Sequence, residues 1–313
     1  MSEIFIAGHN GMVGSAILNI LKSRQVKICF EERKNLDLMD TNQVERYFKK
    51  RNIDQVFLCA AKVGGIKANN KYPANFLYEN IMIQANIINT AYKSNVKKLL
   101  FLGSSCIYPK KARQPLKEDY LLNGKLEKTN EAYAIAKISG LKMCEFYSKQ
   151  FNLDYRTVMP TNLYGPRDNF DLESSHVIPG IIRKLHEAKI NNNSSINLWG
   201  TGKPKREFLY VDDLAEACCF IMDLEKGEFN EACGESHNFL NIGYGKEISI
   251  YELAKIISEV VGYKGKIFFD SSKLDGTQQK LLDSNILNSL GWRPKTRLKE
   301  GLIKTYKWFL DHQ

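Results

Sequence analysis

The stretch "EIFIAGHNGMVGSAILNILKSR", residues 3–24, decides the fold. A short apolar run ends at Gly8, glycines recur at positions 8, 11 and 14, and Val13, Ile17, Ile20 and Leu21 then recur at helical spacing. Strand, glycine-rich turn and helix in that order open a dinucleotide-binding unit. Gly8 permits the tight turn, Gly11 lets backbone approach a pyrophosphate, and Gly14 allows close helix packing, while the helix N-terminus favours the anion.

Working outward, the same alternation continues. "VKICFEE" reads as a second strand and "TNQVERYFKKR" as a helix. "QVFLCAA" is a third strand, followed by the helical "FLYENIMIQANIINTAYKSN". "KLLFLGS" is a fourth strand, "EAYAIAKISGLKMCEFYSKQF" a long helix, and "DYRTVMPTNLYG" a further strand and turn. Strict alternation of this kind predicts an α/β fold with a doubly wound, Rossmann-type parallel sheet and right-handed crossovers. Beyond about residue 170 the pattern is less regular, with helices near 177–189, 212–224 and 249–261. This predicts a dinucleotide-binding domain over 1–165, to which some later segments return, and a smaller substrate-binding lobe over 166–313.

Composition bounds the function. The chain has 313 residues, a formal net charge of +10 and seven cysteines. There is no CxxC pair and no Cys/His cluster at ligand spacing, so no metal site is expected. No run of about 18 apolar residues exists to span a membrane. With no secretion signal at the N-terminus, the thiols are expected to be reduced and the protein cytoplasmic. The lysines are scattered rather than gathered on one element, which argues against nucleic acid; a polyphosphate ligand fits the charge.

"FEERKNLDL", 30–38, bears on the choice of dinucleotide. Glu31 can accept hydrogen bonds from an adenosine ribose, as in NAD sites. Arg33 and Lys34 can instead hold a 2′-phosphate, and Arg33 favours NADP because a guanidinium suits phosphate bidentately. Asp37 is expected near the adenine. The cofactor is thus NADP(H), with NAD(H) as the alternative.

"YAIAK" sets Tyr133 and Lys137 four apart, on one face of the long helix. A phenol titrating near ~10 is a poor acid–base group at neutral pH, and a neighbouring ammonium is expected to stabilise its phenolate. Ser104 or Ser105, at the end of the fourth strand, can hydrogen-bond a reacting carbonyl. Ligands bind outside the carboxyl ends of parallel strands, so these groups converge. Hydroxyl and phenol around a ketone beside a nicotinamide are arranged for hydride transfer.

The glycine pattern with Tyr133-x3-Lys137 resembles the extended short-chain dehydrogenase/reductase family. More closely, "FIAGHNGMVGSAI", "AAKVGGIKANN", "LLFLGSSCIYP", "YAIAK", "PTNLYGP", "SHVIPG", "GTGKPKREFLYVDD" and "DGT" resemble the GDP-L-fucose synthases, over nearly the whole chain. The resemblance implies reduction at C4 of a GDP-4-keto-6-deoxy-sugar with epimerisation at C3 and C5. It also implies a homodimer built through a four-helix bundle.

Carried onto this sequence, Ser104, Tyr133 and Lys137 match the reductase residues. Cys106 and His176 match the pair that moves protons at C3 and C5, with Cys106 as base and His176 as acid. A C4 ketone acidifies both neighbouring C–H bonds, and inversion needs one group to remove a proton and another to return it from the opposite face. The cofactor surface implied comprises Gly8, Asn10, Gly11, Met12, Val13 and Gly14, then Arg33, Leu36 and Asp37, with Ala60 and Ala61 from the third strand. Leu102, Gly103, Ser105 and Lys137 continue it, followed by Pro160, Thr161, Asn162, Leu163 and His176.

For the GDP-sugar the resemblance points to Ser105, Lys184, Trp199, Arg206 and Asp275. Lys184 and Arg206 suit a diphosphate, Trp199 offers a stacking face, and Asp275 would accept from ribose hydroxyls. One departure is Asn10, where the family often has an arginine near the 2′-phosphate; this weakens the NADP preference while Arg33 sustains it.

Three other readings compete. A GDP-4-keto-heptose C4 reductase without epimerisation would carry the same motifs. An NAD-retaining dehydratase needs an acidic pair where this chain has Ser105-Cys106, and a 4-epimerase has no need of Cys106 and His176. A nucleotide-sensing regulator would have no use for both Tyr133 and Lys137.

Overall fold

The computed structural model describes residues 2–234, 237–273 and 275–313. The chain opens with β1 (Glu3–Ala7), α1 (Met12–Ser23), β2 (Ile28–Cys29), α2 (Thr41–Lys49), β3 (Ile53–Leu58), α3 (Ile66–Lys71), α4 (Pro73–Lys93) and β4 (Lys98–Leu102). It continues through α5 (Glu131–Phe151), β5 (Asp154–Pro160), β6 (Asn162–Tyr164), α6 (Val177–Ile190), β7 (Ser195–Trp199), β8 (Lys205–Tyr210), α7 (Val211–Asp223) and α8 (Lys226–Cys233). The last elements are β9 (Phe239–Ile242), β10 (Glu247–Ser249), α9 (Ile250–Val261), β11 (Lys266–Asp270), β12 (Gln279–Lys280), α10 (Asn285–Ser289) and α11 (Leu298–Asp311).

Six strands form one sheet in the order β2-β1-β3-β4-β5-β9, every pair parallel. Because helices cover both faces, successive strand residues are buried on opposite sides. Ile6, Phe57, Leu100 and Val158 pack with α1 and α7, whereas Phe5, Leu58, Leu99 and Tyr155 pack with α2, α4 and α5. This is why the strands read as continuous apolar runs.

β9 arrives late in sequence yet pairs with β5, so the chain leaves the sheet and returns. Between the two, β6 departs from the end of β5 to pair with β8, which also holds β10 and β12. Another parallel pair, β7 with β11, and helices α6, α9 and α11 complete the second lobe around Tyr164, Ile182, Leu253 and Leu302.

The second strand is shorter than the sequence pattern predicts. It spans only Ile28–Cys29 at the edge of the sheet, where a single neighbour supplies pairing. Phe30 instead turns to stack on His9 at 4.5 Å. "DYRTVMPTNLYG" likewise divides into two strands belonging to different sheets.

Candidate active site

The glycine cradle lies between β1 and α1. Gly8 has φ +91°, and a Cβ there would meet the Ala60 backbone nitrogen at 2.7 Å; at Gly14 it would meet the Gly8 carbonyl oxygen at 2.2 Å. Gly11 caps α1 without a side chain, so the first-turn amides of Met12, Val13 and Gly14 are directed at whatever anion occupies the turn. These residues fit the pyrophosphate of a dinucleotide. After β3, the Asn80 side chain accepts from Lys62 N at 2.8 Å and donates to Lys62 O at 3.0 Å, which fixes the loop carrying Ala60 and Ala61.

On the adenosine side, Asn10 and Arg33 are exposed, Leu36 is buried and Asp37 half-buried. Glu31 accepts from Asn35 at 2.9 Å, and Lys34 pairs with Glu32 at 2.7 Å. Among the described residues Arg33 is in no ion pair, which leaves its guanidinium available to phosphate.

β4 carries the candidate reacting groups. Leu102 ends the strand, buried Gly103 follows, and one 3-10 turn over Ser105–Ile107 holds Cys106 beneath the cleft. Ser104 caps that turn, its hydroxyl accepting from Cys106 N at 3.3 Å. The same side chain acts electrostatically on both the Tyr133 phenol and the Cys106 thiol, favouring the ionised form of each, so Ser104 lies between the two groups. Ser105 is buried behind them.

Tyr133 and Lys137 reach this point from the first turns of α5. Lys137 is 2% exposed; its Nζ donates to the Leu102 carbonyl at 2.7 Å and lies 5.7 Å from the Tyr133 ring centroid. Burial lowers its pKa to about 8. The expected stabilisation of a Tyr133 phenolate does not occur: burial, with the neighbouring Cys106, pushes the phenol well above its ordinary value. Lys137 directs its ammonium at the Leu102 carbonyl, so Tyr133 rests as a neutral proton donor.

His176 caps α6 through its backbone alone, with no side-chain capping bond. Two contacts tie its approach loop to the first domain: Gly65 N donates to Ser174 O at 2.9 Å, and Lys67 pairs with Glu173. The imidazole is open to water yet walled by protein; burial, with the charge of Lys280, lowers its pKa. Burial raises the Cys106 thiol, against the opposing pull of Lys280, Ser104 and Lys137. The resting pair is therefore thiol and neutral imidazole.

Further along the surface expected to hold the cofactor, Pro160 ends β5 and Leu163 is half-buried in β6. Thr161 N donates to Ile242 O at 3.0 Å. The Asn162 amide donates to the Glu207 carbonyl at 3.1 Å, so this side chain holds the crossing between the sheets.

The second lobe supplies the remaining groups. Trp199 is 58% exposed at the end of β7, with Lys184 Nζ 5.3 Å from its ring centroid. Arg206 is half-buried on β8, and Asp275 acts on it electrostatically. The Asp275 carboxylate accepts from Thr201 N at 2.9 Å and Thr201 Oγ1 at 2.7 Å, an anchoring role absent from the sequence reading.

That reading also missed Glu207 and Lys280. Glu207 is fully buried and accepts from Gly245 N at 2.6 Å and Leu282 N at 3.0 Å. A charged residue inside the apolar "EFLY" is the signal that could have found it, since buried carboxylates need partners. Lys280 lies on a two-residue strand that no periodicity marks. Among the described residues, no group of three His, Cys, Asp or Glu side chains could hold a metal ion.

Residues 4–233 match the family described as "NAD dependent epimerase/dehydratase family". A GDP-L-fucose synthase of Escherichia coli (strain K12) is 53% identical over 99% of this chain and 97% of its own. A GDP-6-OMe-4-keto-L-xylo-heptose reductase from C. jejuni superimposes with a TM-score of 0.94 at 35% identity, covering 100% of this chain and 98% of its own. MlghC, a GDP-mannoheptose C4 reductase from Campylobacter jejuni with NADP bound, gives 0.89 at 36% identity, over 99% and 98%. The chain belongs to the NAD dependent epimerase/dehydratase family and, within it, groups with the GDP-L-fucose synthases.

Proposed function

We propose that the protein is an NADPH-dependent oxidoreductase that inverts C3 and C5 of a GDP-4-keto-6-deoxy-sugar and reduces its C4 ketone, giving GDP-L-fucose or a related GDP-sugar. The observation that carries this is the convergence of Ser104, Cys106 and Tyr133 on one hydroxyl-centred cluster, with Lys137 beside it.

The chemistry follows from the residues. Arg206 and Lys184 attract the diphosphate, and Trp199 presents an exposed ring for stacking. Ser104 and Tyr133 hydrogen-bond the C4 oxygen. Cys106, as thiolate, removes the proton from C3; the C–H electron pair passes to the C4 oxygen as an enolate. His176, open to water, takes up a proton from it and, as imidazolium, returns that proton from the opposite face, reverting to neutral imidazole. The same exchange at C5 completes inversion. The cofactor, when bound, supplies hydride to C4. Tyr133, held neutral by burial, gives its proton to the forming alkoxide and regains one from solvent. Lys137 holds the nicotinamide ribose.

Arg33, among the described residues in no ion pair, supports NADPH over NADH. A homodimer through α4 and α5 is part of the same reading, supported by exposed Tyr78 and Phe146 on those helices. So is a cytoplasmic site of action; among the described residues no helix is long and apolar enough to cross a membrane.

A second reading, reduction of a GDP-4-keto-heptose without inversion, is favoured by the TM-score of 0.94 to the C. jejuni heptose reductase. Product NMR after incubation with GDP-4-keto-6-deoxymannose and with its heptose homologue, each with NADPH and NADH, separates the two. The expected product is the GDP-6-deoxy-L-galacto sugar with NADPH consumed stoichiometrically. An unepimerised alcohol from the hexose, or turnover of the heptose alone, contradicts the first reading.

A further inference from the structure

Lys280 is a cation, among the described residues, that the reaction described above does not use. β12 pairs in parallel with β8, setting Lys280 beside Arg206. The chain then runs directly against the segment that follows the Cys106 turn. Leu116 N donates to Leu281 O at 2.8 Å, Asp283 N donates to Leu116 O at 2.8 Å, and Leu116 bridges Leu282. Leu282 is buried in the same apolar cluster as Cys106. In extended backbone residues two apart share a face, so Lys280 projects from the face of Leu282, toward the thiol.

Burial, with the charge of neighbouring Arg206, lowers the Lys280 pKa to about 8, so at neutral pH it is still mainly an ammonium, and two features leave that charge uncommitted. Among the described residues Lys280 is in no ion pair. The nearest carboxylate on the neighbouring strand, Glu207, is committed to backbone amides of Gly245 and Leu282, one oxygen each. Glu207 thereby anchors the strand that carries Lys280 without forming an ion pair with it. The charged and titratable groups around Lys280 are Arg206 and Glu207 from β8, Cys106 from the turn after β4, and His176 from the start of α6.

We propose that Lys280 is a positioning residue for the proton-transfer half of the reaction: its ammonium, on a strand pinned by Glu207, holds negative charge on Cys106 Sγ and so selects Cys106 as the base. This rests on the reading of Cys106 and His176 as the proton-moving pair. Electrostatic attraction lowers the cost of thiolate formation at a buried site, and the same charge lowers the His176 pKa, so that its imidazolium, once formed, is the stronger acid. The thiol proton leaves to solvent; the thiolate then accepts the sugar C–H proton, and the electron pair becomes the enolate.

The test is the pH profile of Cys106 alkylation by iodoacetamide, resolved from the other cysteines by peptide mass spectrometry, in the full chain and in Lys280→Gln and Lys280→Arg. An opposite charge at this range moves a titration by about one pH unit or more, so the Gln variant should alkylate about tenfold more slowly at neutral pH. Solvent-deuterium exchange into C3 and C5 should fall with it, and Lys280→Arg should restore both. An unmoved alkylation profile in Lys280→Gln overturns the inference, including the case in which only KM rises because the lysine merely binds phosphate. So does a profile still displaced in Lys280→Arg, which also serves if the Gln variant does not fold. Exchange persisting in Cys106→Ser instead overturns the underlying reading, so the two failures are distinguishable.

Discussion

Tyr133 is a phenol whose burial keeps it protonated, and a reductase needs a proton to give. Its ring packs edge to face with Phe76 at 6.3 Å, which fixes where the phenol stands, and Ser104 acts on it electrostatically. Tyr133→Phe keeps the ring packing and removes only that proton. Reduction, followed as NADPH loss, should fall by about two to four orders of magnitude, the range for loss of a general acid, while exchange at C3 and C5 persists. Equal loss of both would mean that Tyr133 serves the site's architecture rather than proton delivery. The four-residue spacing of Tyr133 and Lys137 was legible from the sequence because helix geometry puts such residues on one face. Where the Lys137 ammonium points was not legible, since its acceptor is a backbone carbonyl 35 positions away.

At the scale of elements, the turn and loop after β4 are held by a buried acid. Glu118 is 5% exposed and accepts from Asn241 N at 2.9 Å, joining this loop to β9. Burial raises its pKa to about 7 from 4.5. Because the folded value is the higher one, its contribution to stability is full below about 4.5 and is lost as pH rises through about 7. Glu118→Gln keeps the acceptor and removes the titration. Its stability relative to the parent should therefore grow across that window, by about 3 kcal/mol at most. Urea unfolding at the two ends of the window measures this; parallel pH curves for parent and variant would contradict it. Such a network could not be read from "LKEDYL", whose partner Asn241 lies 123 positions on. By contrast α5 was legible residue for residue, because its 21 positions hold no proline and only an isolated glycine, Gly140, packed close on Phe101, before Asn152 adopts a left-handed conformation. The short edge strand β2 was over-read, since an apolar run says nothing of how many neighbours will pair with it.

For the whole molecule, the proposed site draws its residues from two lobes. The first supplies Ser104, Cys106, Tyr133 and Lys137 from elements in the sheet's sequence order, and these were recoverable from motif and alternation. The second supplies His176 and Arg206, which lie between the chain's departure from the sheet at β6 and its return at β9, and Lys280, which lies on a second excursion after β9. Lys67 with Glu173, and Gly65 with Ser174, fasten the His176 approach across that divide. Neither contact has a local sequence signature, so the motif could name His176 while only the fold accounts for its placement. The central claim is that Cys106 and His176 move protons at carbons activated by the ketone. It is tested most directly by NMR of deuterium incorporation at C3 and C5 of GDP-4-keto-6-deoxymannose in deuterated buffer, comparing the parent with Cys106→Ala and His176→Ala. The account predicts exchange at both carbons in the parent and its loss in both variants, with measurable ketone reduction retained; exchange undiminished in the two variants would contradict it.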